Sequence, residues 1–165
     1  MPFSTTNIRD LLYKPVQVLG LPPYLERRVL AMAANTVGDL VMMTELFFAN
    51  HTGISYRSVE TVNEKLASYG LEFRPWNTNA AREAIRIYGG AEYIPAPMMS
   101  HWQNGLKPEI NRFLRSFGGP QQPHTLGALC ELRFDEFKLD GRLISNAQRI
   151  VIKQGVEHVG LSLRK

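Results

Sequence analysis

The sequence predicts an all-α protein made of two helix-hairpin-helix bundles joined by a short linker. Three observations predict it. Between Thr36 and Phe73 two helical apolar patterns flank a tight loop carrying Thr52-Gly53. That stretch closes on Tyr69-Gly70-Leu71, where Gly70 can take the left-handed conformation that ends a helix and turns Leu71 back on Leu66. Blocks of this first half then return, in the same order, in the second.

Taken in order, Ile8, Leu11, Leu12 and Tyr13 form an apolar set at helical spacing behind a cap at Thr6 or Asn7. Leu19-Gly20-Leu21-Pro22-Pro23 is a turn, and Pro23 suits the first position of a helix over Tyr24 to Ala34. Leu25, Val29 and Met32 face inward on that helix, and Glu26, Arg27 and Arg28 face outward. A short helix follows from about Asp39 to Phe48. A longer one runs from about Tyr56 to Tyr69, with Val59, Val62, Leu66 and Tyr69 on one face. Phe47 and Phe48 are adjacent, so they cannot both enter one core.

After Arg74-Pro75 the pattern changes. Asn77-Thr78-Asn79 caps a short helix, Ala80 to Tyr88, which Gly89-Gly90 stops. Arg82 and Arg86 share its solvated face. Ile94-Pro95-Ala96-Pro97 reads as an extended connector. The organisation is therefore a first domain over 1–75, a linker with one short helix over 76–97, and a second, divergent repeat over 98–165. Gly105 to Leu114 lies over Gly20 to Val29, Thr125 to Leu129 over Thr36 to Leu40, and Gly160-Leu161 over Gly70-Leu71. The offset drifts from 85 to 89 to 90, and the loop Gly118-Gly119-Pro120-Gln121-Gln122-Pro123 absorbs the largest step. One local conflict remains: Arg149-Ile150-Val151-Ile152 is rich in β-branched residues, and Gly155 interrupts the helix that the repeat requires. A helix-interior Gly costs about 1 kcal/mol relative to Ala.

Composition narrows the function classes. The chain has 165 residues and a formal charge of +4, with seven basic and seven acidic side chains in residues 1–75 and the excess in the remainder. A mild basic excess permits a nucleic-acid partner without requiring one. No apolar run approaches a membrane span, and MPFSTTNIRD lacks the plan of a signal peptide, so a cytoplasmic protein with no membrane role is expected. Cys130 stands alone among apolar neighbours and reads as a core filler. Trp76, Trp102, Met98 and Met99 are expected to be buried between the repeats. His51, His101, His124 and His158 are scattered, with no metal-ligand spacing, phosphate loop or nucleophile motif. The expectation is a non-enzyme with no cofactor and no metal.

Lys14-Pro15-Val16, Val37-Gly38-Asp39-Leu40-Val41, Thr44-Glu45, Arg57-Ser58 and Leu66-Ala67-Ser68-Tyr69-Gly70-Leu71 carry a resemblance. Over roughly residues 8 to 75 the chain resembles the C-terminal domain of the bacterial RNA polymerase α subunit. The resemblance implies a transcription-associated DNA-binding protein of a bacterium, phage or plasmid, with double-stranded DNA, polymerase or a transcription regulator as partner. Arg57 and Ser58 take the positions of that family's DNA-contacting basic residue and serine, Thr61 lies one turn on, and Arg27 holds a matching place on the first long helix. The helix N-terminus beside them offers free N–H groups to a phosphate. Arg112, Arg142 and Arg149 are the corresponding candidates of the second repeat.

The departures are specific. Tyr24 replaces the family's principal minor-groove arginine, Ser55 replaces its loop glycine, and Ala147-Gln148 replaces the Arg-Ser pair. A Ser55 cap would bond the N–H groups that a phosphate needs. These changes support the competing expectation of a protein–protein adaptor that keeps the fold without binding DNA. In that reading Arg27 and Arg57 are ordinary surface cations, and Ser55 and Ser58 serve only the helix.

Overall fold

The computed structural model of the chain is mostly helical, with one short two-stranded hairpin. The structure describes residues 5–51, 53–117 and 124–165, and only the backbone of 5–7. The side-chain cap at Thr6 or Asn7, Thr52 of the hairpin loop, and the loop from Gly118 to Pro123 lie outside the described residues. The chain divides into two compact units, Met1–Asn79 and Ala80–Lys165.

The first unit contains α1 (Thr5–Tyr13), α2 (Pro23–Ala31), α3 (Val37–Val41), α4 (Glu45–Ala49) and α5 (Tyr56–Ala67). Leu12, Leu25, Val29, Leu40, Val62 and Leu66 have no solvent exposure and form its core. Each such side chain contributes about 1.5–3 kcal/mol by leaving water. The strand-like segment after α1 is tied to the start of α3: Val16 N–H donates to Asn35 O at 2.9 Å, and Val37 N–H donates to Lys14 O at 3.0 Å. Thr36 and Asp39 form a reciprocal cap, the Thr36 hydroxyl accepting from Asp39 N–H and the Asp39 carboxylate accepting from Thr36 N–H.

The single helix expected over Asp39 to Phe48 is two helices. Met42 ends α3, and the Thr44 hydroxyl accepts from Phe47 N–H at 3.1 Å to begin α4. The turn between them buries Met42 and Met43 and sends Phe48 inward against Phe73, while Phe47 is left 54% exposed. After α5, Gly70 has φ +75 and Leu71 N–H donates to Leu66 O at 2.9 Å. Arg74 then locks the chain end. Its Nε donates to Met42 O at 2.8 Å and its Nη1 to Thr78 O at 3.2 Å.

The second unit contains α6 (Ala80–Tyr88), α7 (Pro108–Ser116), α8 (Leu126–Leu129), a hairpin of β1 (Lys138–Leu139) and β2 (Arg142–Leu143), and α9 (Asn146–His158). The residues from 80 to 97, expected to link two domains, are folded within this unit. Ala81, Ala84 and Tyr88 of α6 are buried, and Pro95 pairs with Thr125. Ala96 N–H donates to His124 O at 2.6 Å and Leu126 N–H donates to Ile94 O at 2.8 Å. The same two crossing bonds, with a Pro opposite a Thr, occur in the first unit around Pro15 and Thr36.

α9 runs helical through Arg149–Ile152 despite the β-branched side chains. Gly155 is explained by packing: it is buried against Met99, whose sulfur a Cβ would strike, and Gly155 O accepts from Trp102 Nε1 at 3.0 Å. Met98 and Met99 are core residues of this unit. Trp76, expected to be buried, is instead 80% exposed. The hairpin was not expected. It is a two-residue turn in which Asp140 (φ 54) and Gly141 (φ 78) are both left-handed, pairing Lys138 with Leu143 and Leu139 with Arg142.

Candidate nucleic-acid interface

The first unit places its hairpin at the N-terminus of α5. Ser55 has extended backbone and its hydroxyl accepts from Ser58 N–H at 3.2 Å. The Ser58 hydroxyl lies 3.1 Å from that of Ser55, and Ser58 is 1% exposed. Ser58 is therefore part of the cap and is buried. Thr61 points its hydroxyl back along the helix, donating to Arg57 O at 2.9 Å.

The arginines are arranged differently. Arg27, Arg28 and Arg57 are all exposed. Arg28 lies flat against the hairpin, where a Cβ on Gly53 would come within 2.6 Å of the guanidinium carbon. That contact brings the solvent face of α2 beside the loop that starts α5. The sequence reading missed Arg28 as a site residue. Its signal was present, since Arg28 sits one turn after Tyr24 on the same face of α2. Tyr24 on α2 and Tyr56 on α5, each preceding one of these arginines along its helix, are 50% and 78% exposed. The nearest acids along these helices, Glu26 and Glu60, make no ion pair with them among the described residues.

Two of the three candidate arginines of the second unit are bonded within the fold. Arg112 bonds Asp140 of the hairpin at 2.6 Å. Arg149 is half-buried: Nε donates to Ile144 O at 2.9 Å, Nη1 to Phe134 O at 3.3 Å, and its guanidinium stacks 4.5 Å over the Phe134 ring. It holds the N-terminus of α9 against the preceding turn rather than facing a ligand. Arg142 is exposed and lines a cleft of about 240 Å³ with Lys107, Glu109 and Gln148. Gln148, at the position where the first unit has Ser58, is 7% exposed. It accepts from Lys107 N–H and donates to Gly105 O, both at 3.0 Å. On α6, Arg86 pairs with Glu83.

Of the candidate residues, Arg27 and Arg57 are exposed with no ion pair among the described residues, and Arg28, beside Arg27 in α2, reaches Gly53 in the loop before α5. Ser58, Thr61, Arg112 and Arg149 are engaged in internal bonds. Among the described residues no helix is long and apolar enough to cross a membrane. No family model matches the chain, and no curated protein or solved structure is significantly similar to it.

Proposed function

We propose that the chain is a non-catalytic nucleic-acid-binding protein of the transcription apparatus. Its two units are read as tandem modules of the polymerase α C-terminal, helix-hairpin-helix kind, of which the first is the one that holds DNA. The observation that carries this reading is the contact of exposed Arg28 with Gly53 in the loop that leads into α5, with Arg27 and Arg57 also exposed and none of the three ion-paired among the described residues. Guanidinium groups in that state are free to replace the counterions of a phosphate backbone, which gives sequence-independent affinity. Support for the tandem reading comes from the recurrence of the crossing bonds, the serine caps at Ser55 and Ser145 and the αL glycines Gly70 and Gly160. The second unit, with Arg112 and Arg149 already bonded, serves to tether or to contact a partner such as polymerase or a regulator.

Titrating salt against binding to duplex DNA tests the proposal. The expected result is binding that weakens steeply with salt, with Arg57→Ala and Arg27→Ala each lowering affinity and reducing the slope of log K against log salt by about 1. Absence of binding at low salt overturns it. The adaptor reading then takes its place, favoured by the exposed apolar side chains Leu46 (66%), Phe47 (54%) and Trp76 (80%).

A further inference from the structure

We propose that the arginine face of the first unit is built for unpaired bases, so that it holds single-stranded nucleic acid in preference to duplex. The inference rests on the nucleic-acid reading above and refines its substrate. Two large aromatic side chains, Tyr24 near the start of α2 and Tyr56 at the first position of α5, stand largely in solvent at 50% and 78% exposure. They precede Arg27 and Arg28 on α2 and Arg57 on α5. Tyr24 and Arg28 are one helical turn apart, Arg28 rests on Gly53, and Gly53 lies three residues before Tyr56. Three residues of chain span at most about 10 Å, so the Arg28–Gly53 contact brings the start of α5 toward the face of α2 that carries Tyr24 and Arg28.

Exposed tyrosines interleaved with unpaired arginines match the chemistry of a single strand. The cations follow the backbone and the rings stack on base faces, which need no particular sequence. In a duplex those faces are covered by neighbouring base pairs, and a tyrosine in the groove has only its hydroxyl to offer. Tyr24 cannot donate the paired N–H groups by which a guanidinium reads a groove. Glu26 and Glu60 border the surface without neutralising the three cations, which favours a polyanion over an acidic-patch protein as occupant. The second unit repeats none of this, having Glu109 opposite Tyr24, Phe113 buried opposite Arg28, and Asn146-Ala147 opposite Tyr56-Arg57.

The test uses the full chain and a fluorescein-labelled DNA strand of about 16 nucleotides, a typical upper site size for such surfaces. The strand is supplied alone and as its blunt duplex, with heparin as a polyanion that has no bases. The expected result is tighter binding of the strand than of the duplex. Tyr24→Ala and Tyr56→Ala each weaken single-strand binding about tenfold, more than they weaken duplex binding, and Tyr24→Phe and Tyr56→Phe recover most of the loss. Both positions are exposed, and circular dichroism of each variant checks that it is folded. Duplex binding equal to or tighter than the strand, or single-strand binding insensitive to the alanine variants, overturns this inference and leaves the DNA reading standing. Binding of heparin with neither DNA form overturns both.

Discussion

Ser58 and Arg149, candidate DNA contacts in the sequence, both bond within the fold. A serine two residues into a helix has a choice between solvent and its own cap, and Ser58 takes the cap. An arginine near a helix start can face out or bond free carbonyls, and Arg149 does the latter. Its bonds to Ile144 O and Phe134 O are made by a charged donor in a half-buried place. Arg149→Ala is therefore expected to destabilise the protein by about 1.5–3 kcal/mol in urea unfolding while changing DNA affinity less than Arg57→Ala does. Gly155→Ala is expected to cost about 1–3 kcal/mol, since the added methyl meets the Met99 sulfur in a closed core. Cys130 is half-buried, and burial pushes its thiol up from 9.0 to about 11. Iodoacetamide at pH 8 should label it slowly in the folded protein and rapidly in guanidinium, because the thiolate is the reactive form. The sign of the linkage follows: a raised thiol pKa in the folded state contributes stability below pH 9. That contribution fades as pH climbs toward about 11.

Among the elements, the caps decide where helices stop and start. The run Asp39 to Phe48 looks continuous by apolar spacing, yet Thr44 accepts from Phe47 N–H and so begins a new helix after the Met42-Met43 turn. Capping residues inside an apolar run were legible in principle. The tertiary gain from burying both methionines and Phe48 is what selected the break. The reciprocal Thr36–Asp39 cap is the counterpart at α3, and Thr36→Ala should lower stability by about 1 kcal/mol, read as a shift in the urea midpoint with unchanged slope. The hairpin was legible too, because Asp-Gly is the strongest two-residue turn signal. Lys138-Leu139 and Arg142-Leu143 are too short to show any strand periodicity. Gly141→Ala places a Cβ at φ +78 and should loosen this turn.

Across the whole molecule, the surplus of charge and the arginines proposed to meet phosphate fall in different halves. The surplus of basic residues lies beyond residue 75, but Arg86, Arg112 and Arg149 there are already bonded. Residues 1–75 are neutral in sum, and Arg27, Arg28 and Arg57 are still exposed with no ion pair among the described residues. If these three arginines are the phosphate contacts, the salt slope for duplex binding is expected to lie near −3, well short of what the total count of cations would suggest. Arg112→Ala should move that slope less than Arg57→Ala does.

Apolar spacing, capping residues and terminal glycines were enough to place α2, α5 and α6 to within a few residues, because those signals act between positions close along the chain, whereas a helix through Arg149–Ile152 was expected only from the repeat. The internal similarity of the two halves was legible for the same reason. What only the tertiary structure decided was partnership across distance: Arg28 on Gly53, Arg74 on Met42, Trp102 on Gly155, and the folding of residues 80–97 into the second unit. Whether an arginine is a ligand-binding group or a structural one depends on which carbonyl, carboxylate or ring comes within reach after folding. Spacing along the chain does not carry that information.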